Sequence, residues 1–438
     1  MSVDILTLLI LAALVAALML GVPIAFATGA VACVFGVWLF DVNTLNLVVS
    51  RVFTLMGNQI LVSVPLFILM AMVLEKAGIA EDIFNAAYVW SGRLRGGLAV
   101  AVIISCALMA AMVGVIGAEI VTMGVVALPA MLKRGYGKSI ALGSICAGGG
   151  LATLIPPSVV FIMYALTTGS SIGQLYMAGI VPGLILAAMY IVYVMGVSYL
   201  KPEIAPAAPR EETDIGLLAK LAYVKKLVLP GAVAFGVLGS LYTGIATPTE
   251  AAGLGVMGAV IAAVVNRRFS WAGMRSAIVE TTKVTCMLYW LFFGASALVG
   301  IYTIAGGTEY LKELMTGLPI GKWGILLVVN LIWIALGCII DWIGILLLTA
   351  PIFVPVLVTL GFDPVWIGVM FCMNMQISYL SPPFGPAAFY LKGAAPPSIS
   401  MGDIFRSVWP FIGIQVLALG VLIAFPQTAL WLPNTMLR

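Results

Sequence analysis

Apolar runs bounded by charges or by Pro and Gly recur near 3–20, 22–40, 55–74, 176–198, 227–243, 248–265, 284–305 and 407–425. Each comes close to the ~20 apolar residues a helix needs to cross a bilayer, so these predict ordinary transmembrane spans. Two further apolar stretches, 139–168 and 364–391, are interrupted by Gly149-Gly150 through Pro156-Pro157 and by Ser381-Pro382-Pro383. Proline removes a backbone donor and blocks the preceding turn, so both stretches predict helices broken within the membrane. Regions 97–133 and 323–360 are apolar and carry an acid and glycines near their centres. At 1.5 Å rise per residue, such a length makes two half-helices that meet at mid-membrane, which predicts a re-entrant hairpin in each.

An internal repeat supports this division. A shift of 226 superimposes Pro129 on Pro355, Gly135 on Gly361, Leu154 on Leu380, Pro156-Pro157 on Pro382-Pro383 and Tyr164 on Tyr390. The same shift carries the 55–74 span onto 284–305 and one hairpin onto the other. The chain crosses an odd number of times between the two breaks, so the copies run in opposite directions, an inverted repeat of the kind transporters use. The predicted fold class is an all-α polytopic membrane protein, an inverted repeat with two re-entrant hairpins and two broken helices.

Composition agrees: 63% of residues are hydrophobic and 9% charged, with a mean hydropathy of +1.18. A soluble domain carries roughly 25% charge. The first apolar run lacks a preceding Lys or Arg and a clear cleavage site, which predicts a retained span. Charge adds orientation, since 17 of the 21 Lys and Arg, from Lys76 through Arg210 to Arg406, fall on one side of this topology. Arg51, Lys312, Lys322 and Arg438 remain on the other. That bias puts the first side in the cytoplasm and both termini outside. There is no histidine, which excludes haem ligation by His, Ser-His-Asp catalysis and most zinc sites. The six cysteines form no C-x-x-C pair and read as packing residues. The polar stretch from Lys201 to Lys226 is a linker between the repeats, and Thr247-Pro248-Thr249-Glu250 reads as a helix capping box. No feature points to nucleic acid.

The candidate chemistry lies at the breaks. A helix broken inside a bilayer frees amides and carbonyls that protein, water or a ligand must satisfy. Around Gly149, Gly150, Ala152, Ile155, Pro156, Pro157 and Ser158 the prolines leave carbonyl oxygens available, ligands that suit a hard cation such as Na⁺. The second break, Gln376 to Gly385 with Ser378, Ser381, Pro382 and Pro383, adds hydroxyls and a carboxamide. Half-helix N-termini at breaks and hairpin tips can hold an anion. A simple proline kink is the alternative, and the matched pair favours sites. Glu119, in the first hairpin, and Asp341, at the centre of the second, are intramembrane carboxylates and therefore functional candidates, either as ion ligands or as caps of half-helices.

With these residues in order, the chain resembles the large membrane (M) subunit of tripartite ATP-independent periplasmic (TRAP) transporters. The resemblance spans almost the full length. It is carried by Gly149-Gly150-x-x-x-x-Ile155-Pro156-Pro157-Ser158, by Thr247-Pro248-Thr249-Glu250-Ala251-Ala252, by Asp341 and by Ser381-Pro382-Pro383-Phe384-Gly385. It implies an elevator-type carrier with scaffold segments 1–96, 170–322 and 393–438 and transport segments 97–169 and 323–392. It further implies sodium-coupled uptake of organic acids such as C4-dicarboxylates across the bacterial inner membrane. The implied partners are a small membrane subunit and a periplasmic substrate-binding protein, with Na⁺ as coupling ion and no other cofactor.

By the same resemblance, one sodium is held by the first tip, including Gly114, and by oxygens of Ala152, Ile155 and Pro157. Its counterpart is held by Ser378, Ser381 and Pro383 with the tip at Asp341. Many members carry a Ser-Gly-Ser-Ser first tip ending in Ala-Asp. Here the stretch is Val113-Gly114-Val115-Ile116-Gly117-Ala118-Glu119, which leaves backbone carbonyls and Thr122 as donors. Glu119, Thr122, Gly149, Gly150, Pro156, Ser158, Gln376, Pro382 and Gly385 are then expected around the substrate. Two other readings stand beside this one. The first is a self-sufficient carrier of divalent anions with a related fold. The second is an intramembrane hydrolase, which would have to use Glu119 with Asp341 and lacks a Gly-x-Gly-Asp motif.

Overall fold

The computed structural model describes residues 2–114, 117–207 and 216–436, and among these residues there is helix and no strand. Val115 and Ile116 of the first tip, Arg210 and Arg438 lie outside the described residues. The first half comprises α1 (Val3–Met19), α2 (Ile24–Phe40), α3 (Thr44–Met56), α4 (Gln59–Lys76) and α5 (Ile79–Ser91). The hairpin α6 (Gly97–Val113) and α7 (Ala118–Lys133) follows, then the broken helix α8 (Lys138–Gly150) and α9 (Val159–Thr168), then α10 (Ile172–Leu200). The second half begins with α11 (Leu217–Tyr242), α12 (Pro248–Val265), α13 (Trp271–Ile304) and α14 (Gly307–Thr316). It continues with the hairpin α15 (Gly321–Gly337) and α16 (Trp342–Thr359), the broken helix α17 (Pro364–Leu380) and α18 (Pro386–Ala394), and α19 (Met401–Ala424). A short α20 (Gln427–Leu430) and a 3-10 turn (Pro433–Thr435) close the described chain.

Both hairpins and both broken helices occupy the predicted regions, and the repeat is more complete than its few identities suggest. Each half runs through the same series of elements, with α3 and α4 together matching the single 34-residue α13. Gly57 and Asn58 interrupt the first copy, where the Asn58 side chain caps α4 by accepting from the amide of Ile60 at 3.0 Å. Elements α3, α5 and α14 are absent from the sequence prediction. They are short and carry charges such as Arg51, Asp82 and Lys312 within the helix, so no apolar run marks them. The N-terminal turns of α13 escape notice for the same reason, since Arg275, Glu280 and Lys283 delay its apolar run without breaking the helix.

Packing follows the two-fold relation. α4 lies on α12 while its counterpart α13 lies on α2; α8 lies on α19 while α17 lies on α10. Each hairpin's first arm packs on its own broken helix, α6 on α8 and α15 on α17. Its second arm packs on the other copy's exit segment, α7 on α18 and α16 on α9. Around the breaks the interior is fully buried, with Ile120, Leu142, Tyr164, Trp333 and Phe371 at its centre. The capping box is formed: the Thr247 amide donates to Glu250 Oε2 at 2.8 Å, and Thr247 Oγ1 accepts from the Glu250 amide at 3.4 Å. Cys106, Cys146 and Cys372 are buried packing residues, as expected, whereas Cys286 is exposed on α13.

Candidate functional site

In the first break, helix α8 ends at Gly150, a 3-10 turn covers Leu151–Thr153, and α9 starts only at Val159. An α-helical carbonyl accepts from the amide four residues on. For Ala152 and Thr153 those positions are Pro156 and Pro157, which have no N–H. The Thr153 carbonyl instead accepts from Ser158 Oγ at 2.7 Å. Among the described residues, no donor reaches the carbonyls of Ala152, Ile155 or Pro157. The second break repeats the arrangement: Pro382 and Pro383 withhold their donors, and the Pro156–Pro157 and Pro382–Pro383 bonds are both cis. The Ser378 and Ser381 hydroxyls donate back to Asn374 and Ile377 carbonyls at 2.9 and 2.8 Å, which leaves their oxygen lone pairs as acceptors.

The two breaks meet. Gln376 Nε2 donates to the Gly150 carbonyl at 2.7 Å, with both residues buried. Their numbers differ by 226, the offset of the repeat, so the bond joins equivalent positions and lies at the pseudo-two-fold axis. Close approach of the hairpins explains the glycines. Gly114, left-handed at φ 57°, ends α6 where a side chain would overlap the Pro157 carbonyl oxygen. Gly149 faces Ile120 of α7 with no room for a Cβ, and Gly337 faces Ser378 in the same way.

The predicted sodium ligands thus fall into two clusters. Gly114 meets Pro157 beside the unpaired Ala152 and Ile155 carbonyls. In the second half, Asp341 and Ser378 line a void of about 10 Å³ with Gly337 and Tyr379, room for about one water-sized particle. Ser381 and Pro383 lie in the same break and do not line that void. Asp341 is also the N-cap of α16, its carboxylate accepting from the Ile343 amide at 3.4 Å. Among the described residues, no group of three His, Cys, Asp or Glu is placed to hold a metal ion.

A larger cavity of about 590 Å³ opens between the second tip and helices α2, α4 and α13. Its wall holds Asp341, Trp342, Ile343 and Gly344 at the start of α16, with Tyr379, Pro386 and Tyr390 from the second break. Phe26 and Trp290 face them from the other side. Of the residues expected around the substrate, Glu119, Thr122, Gly149, Gly150, Pro156, Ser158, Gln376, Pro382 and Gly385 do not line this cavity. Gly149, Gly150, Ser158 and Gln376 are instead buried in the contact between hairpin and breaks, and Gly385 starts α18. Sequence reasoning missed Tyr379, Tyr390 and Trp342. One signal was available, since Tyr390 matches Tyr164 in the repeat. There the copies diverge: buried Tyr164 donates to the Pro364 carbonyl at 2.9 Å, whereas Tyr390 packs on Gly117 and faces the cavity.

Comparisons with known proteins agree with this architecture. The family described as "Tripartite ATP-independent periplasmic transporter, DctM component" matches residues 11–428. A C4-dicarboxylate TRAP transporter large permease protein DctM of Pseudomonas aeruginosa is 31% identical over 397 residues, 90% of this chain and 91% of that protein. An ectoine TRAP transporter large permease protein TeaC of Halomonas elongata is 31% identical over 379 residues, 86% and 87% of the two chains. The solved YdaH transporter of Alcanivorax borkumensis has a TM-score of 0.62 over 93% of this chain and 98% of its own, at 15% identity, a likeness of fold.

Proposed function

The chain belongs to the DctM-component family of tripartite ATP-independent periplasmic transporters, and from that membership we propose that it couples sodium entry to uptake of a small organic acid. The family is a transporter permease and not an enzyme, so the hydrolase reading is set aside. Membership also implies a small membrane subunit and a periplasmic binding protein as partners. In this reading the protein sits in the inner membrane with both termini outside.

The observation that carries the proposal is the meeting of two proline-broken helices at Gln376 and Gly150, each with backbone oxygens or hydroxyls lacking donors. Such oxygens favour a hard monovalent cation over any catalytic chemistry. Sodium bound at Gly114, Ala152, Ile155 and Pro157, and at Asp341, Ser378, Ser381 and Pro383, would tie each hairpin tip to its break. It would also neutralise Asp341, so that a substrate carboxylate can approach the amide end of α16 from the adjoining cavity. Helices α10 and α19 fall in the segments 170–322 and 393–438 expected from the sequence to be scaffold; because they pack on the broken helices, they instead move with the hairpins and broken helices, and α1–α5 with α11–α14 form the scaffold.

For substrate, the reading favours C4-dicarboxylates or related carboxylates, with selection by the binding protein, since relatives of equal identity are named for C4-dicarboxylate and for ectoine. The test is uptake in proteoliposomes holding this chain, its small subunit and a loaded binding protein. Replacing external Na⁺ by K⁺ is expected to abolish uptake, and undiminished uptake in K⁺ refutes the coupling. Omitting the binding protein is expected to abolish it as well.

A further inference from the structure

The cavity of about 590 Å³ beside the second tip has aromatic rings on both of its faces. Phe26 of α2 and Trp290 of α13 lie with ring centroids 5.8 Å apart on the scaffold side. Trp342 of α16 lies opposite, with Tyr379 of α17 and Tyr390 of α18, whose ring centroids are 6.4 Å apart. Apart from Asp341, every other residue of the wall is aliphatic, Met, Pro or Gly.

No Lys or Arg lines this wall among the described residues. Lys283 neighbours Val284 of the wall but lies in electrostatic reach of Glu280, and Lys392 at the end of α18 donates to the Ile399 carbonyl. An anion in the cavity is therefore met only by helix ends and by neutral donors, the tyrosine hydroxyls and indole N–H groups. The Tyr379 hydroxyl is buried without a hydrogen-bond partner.

One helix end is suitable. The first-turn amides of α16 carry the positive end of that helix, and their cap Asp341 is the carboxylate that sodium neutralises in the carrier reading. The start of α18 provides no equal to it, because Pro386 has no N–H and the Ala388 amide donates to the Gly385 carbonyl at 2.9 Å. A second carboxylate on the ligand would lie against rings and aliphatic carbons, losing its water and gaining no charged partner. An apolar ring in the same place gains by leaving water and packs against the aromatic walls.

We propose that the acid this cavity takes has a single carboxylate and an aromatic body. The carboxylate meets the first turn of α16, and the ring lies between the Phe26–Trp290 pair and the Tyr379–Tyr390 pair. Calling this ligand the transported substrate rests on the carrier reading above and narrows its organic acids to aromatic monocarboxylates; the binding itself does not depend on transport. C4-dicarboxylates are the competing outcome.

The test is equilibrium binding of radiolabelled phenylacetate and succinate to the purified full chain in NaCl. Phenylacetate is expected to bind, to be displaced by unlabelled cinnamate, and to bind at least about tenfold more tightly than succinate. Trp290→Leu removes one ring at an exposed position with no change of charge and is expected to weaken phenylacetate about two- to tenfold, whereas Trp290→Phe keeps most of the affinity. Succinate bound as tightly as phenylacetate, binding of neither, or an unchanged affinity in Trp290→Leu overturns the proposal. If Trp290→Leu fails to fold, the wild-type comparison of the two acids still decides. The two readings fail separately. A chain that binds phenylacetate but moves no acid in the complete proteoliposomes keeps the cavity assignment and loses the carrier reading. Sodium-driven uptake by a chain that does not bind phenylacetate keeps the carrier reading and overturns the aromatic ligand.

Discussion

Replacing Gly149 by alanine probes the contact on which the first hairpin depends. The added Cβ would overlap Ile120 Cγ1, approach Ile120 Cδ1 to 3.0 Å and lie 3.4 Å from the Ile120 amide nitrogen. Carbon–carbon contacts relax only at ~3.5–4.0 Å, so α7 must retreat from α8 by roughly 1 Å. Ile120 is itself fully buried, and Met123 and Leu128 behind it are too, so the retreat is resisted. Overpacking of this kind costs about 1–3 kcal/mol. Gly149 is helical, so no backbone strain is added and the whole effect is steric. Thermal unfolding can be followed by thiol labelling in a background with Cys33, Cys286 and Cys338 each replaced by Ser, because the remaining Cys106, Cys146 and Cys372 are buried and report loss of packing. Gly149→Ala should lower the melting temperature. Ile120→Ala alone should cost about 2–5 kcal/mol by opening a cavity. The double variant should lose less than the sum, because the truncated side chain makes room for the new methyl. A Gly149→Ala protein as stable as wild type, or strict additivity in the double variant, refutes the argument.

Four further outcomes are expected in the same assay. Ser158→Ala deprives the buried Thr153 carbonyl of its donor at 2.7 Å and should destabilise the first break by about 1–3 kcal/mol, with Ser158→Thr retaining part of the loss. Asp82→Asn should cost about 1.5–3 kcal/mol, because that nearly buried carboxylate lies 2.7 Å from Arg268 and 3.3 Å from Lys226. Lys138→Met removes a contact of similar length, 3.0 Å to Asp403, yet should cost less than about 1 kcal/mol and vanish at high salt, because both groups are in water's reach. Gly253→Ala should stabilise by up to about 1 kcal/mol through helix propensity alone, since nothing lies within 4 Å of its added Cβ; a melting point below wild type counts against that placement.

Much of this architecture is legible along the chain. Hydrophobic run length marks the spans, paired prolines mark the breaks, glycines and acids mid-run mark the hairpins, and a repeated offset relates the halves, because each of these depends on local covalent chemistry or on the thickness of the bilayer. The charge-bearing helices α3, α5 and α14 escape that reading, since they need no apolar run to be stable once packed on neighbours. The site divides in the same way. Which carbonyls at Ala152 and Thr153 lose their donors follows from Pro156 and Pro157 alone. That Gln376 reaches Gly150, that Tyr390 rather than Gly150 or Ser158 faces the large cavity, and that Glu119 is sealed without a partner are facts of tertiary packing. Two-fold symmetry brings equivalent positions into contact only near its axis, and the identity of the residues at the axis emerges when the two copies are packed together.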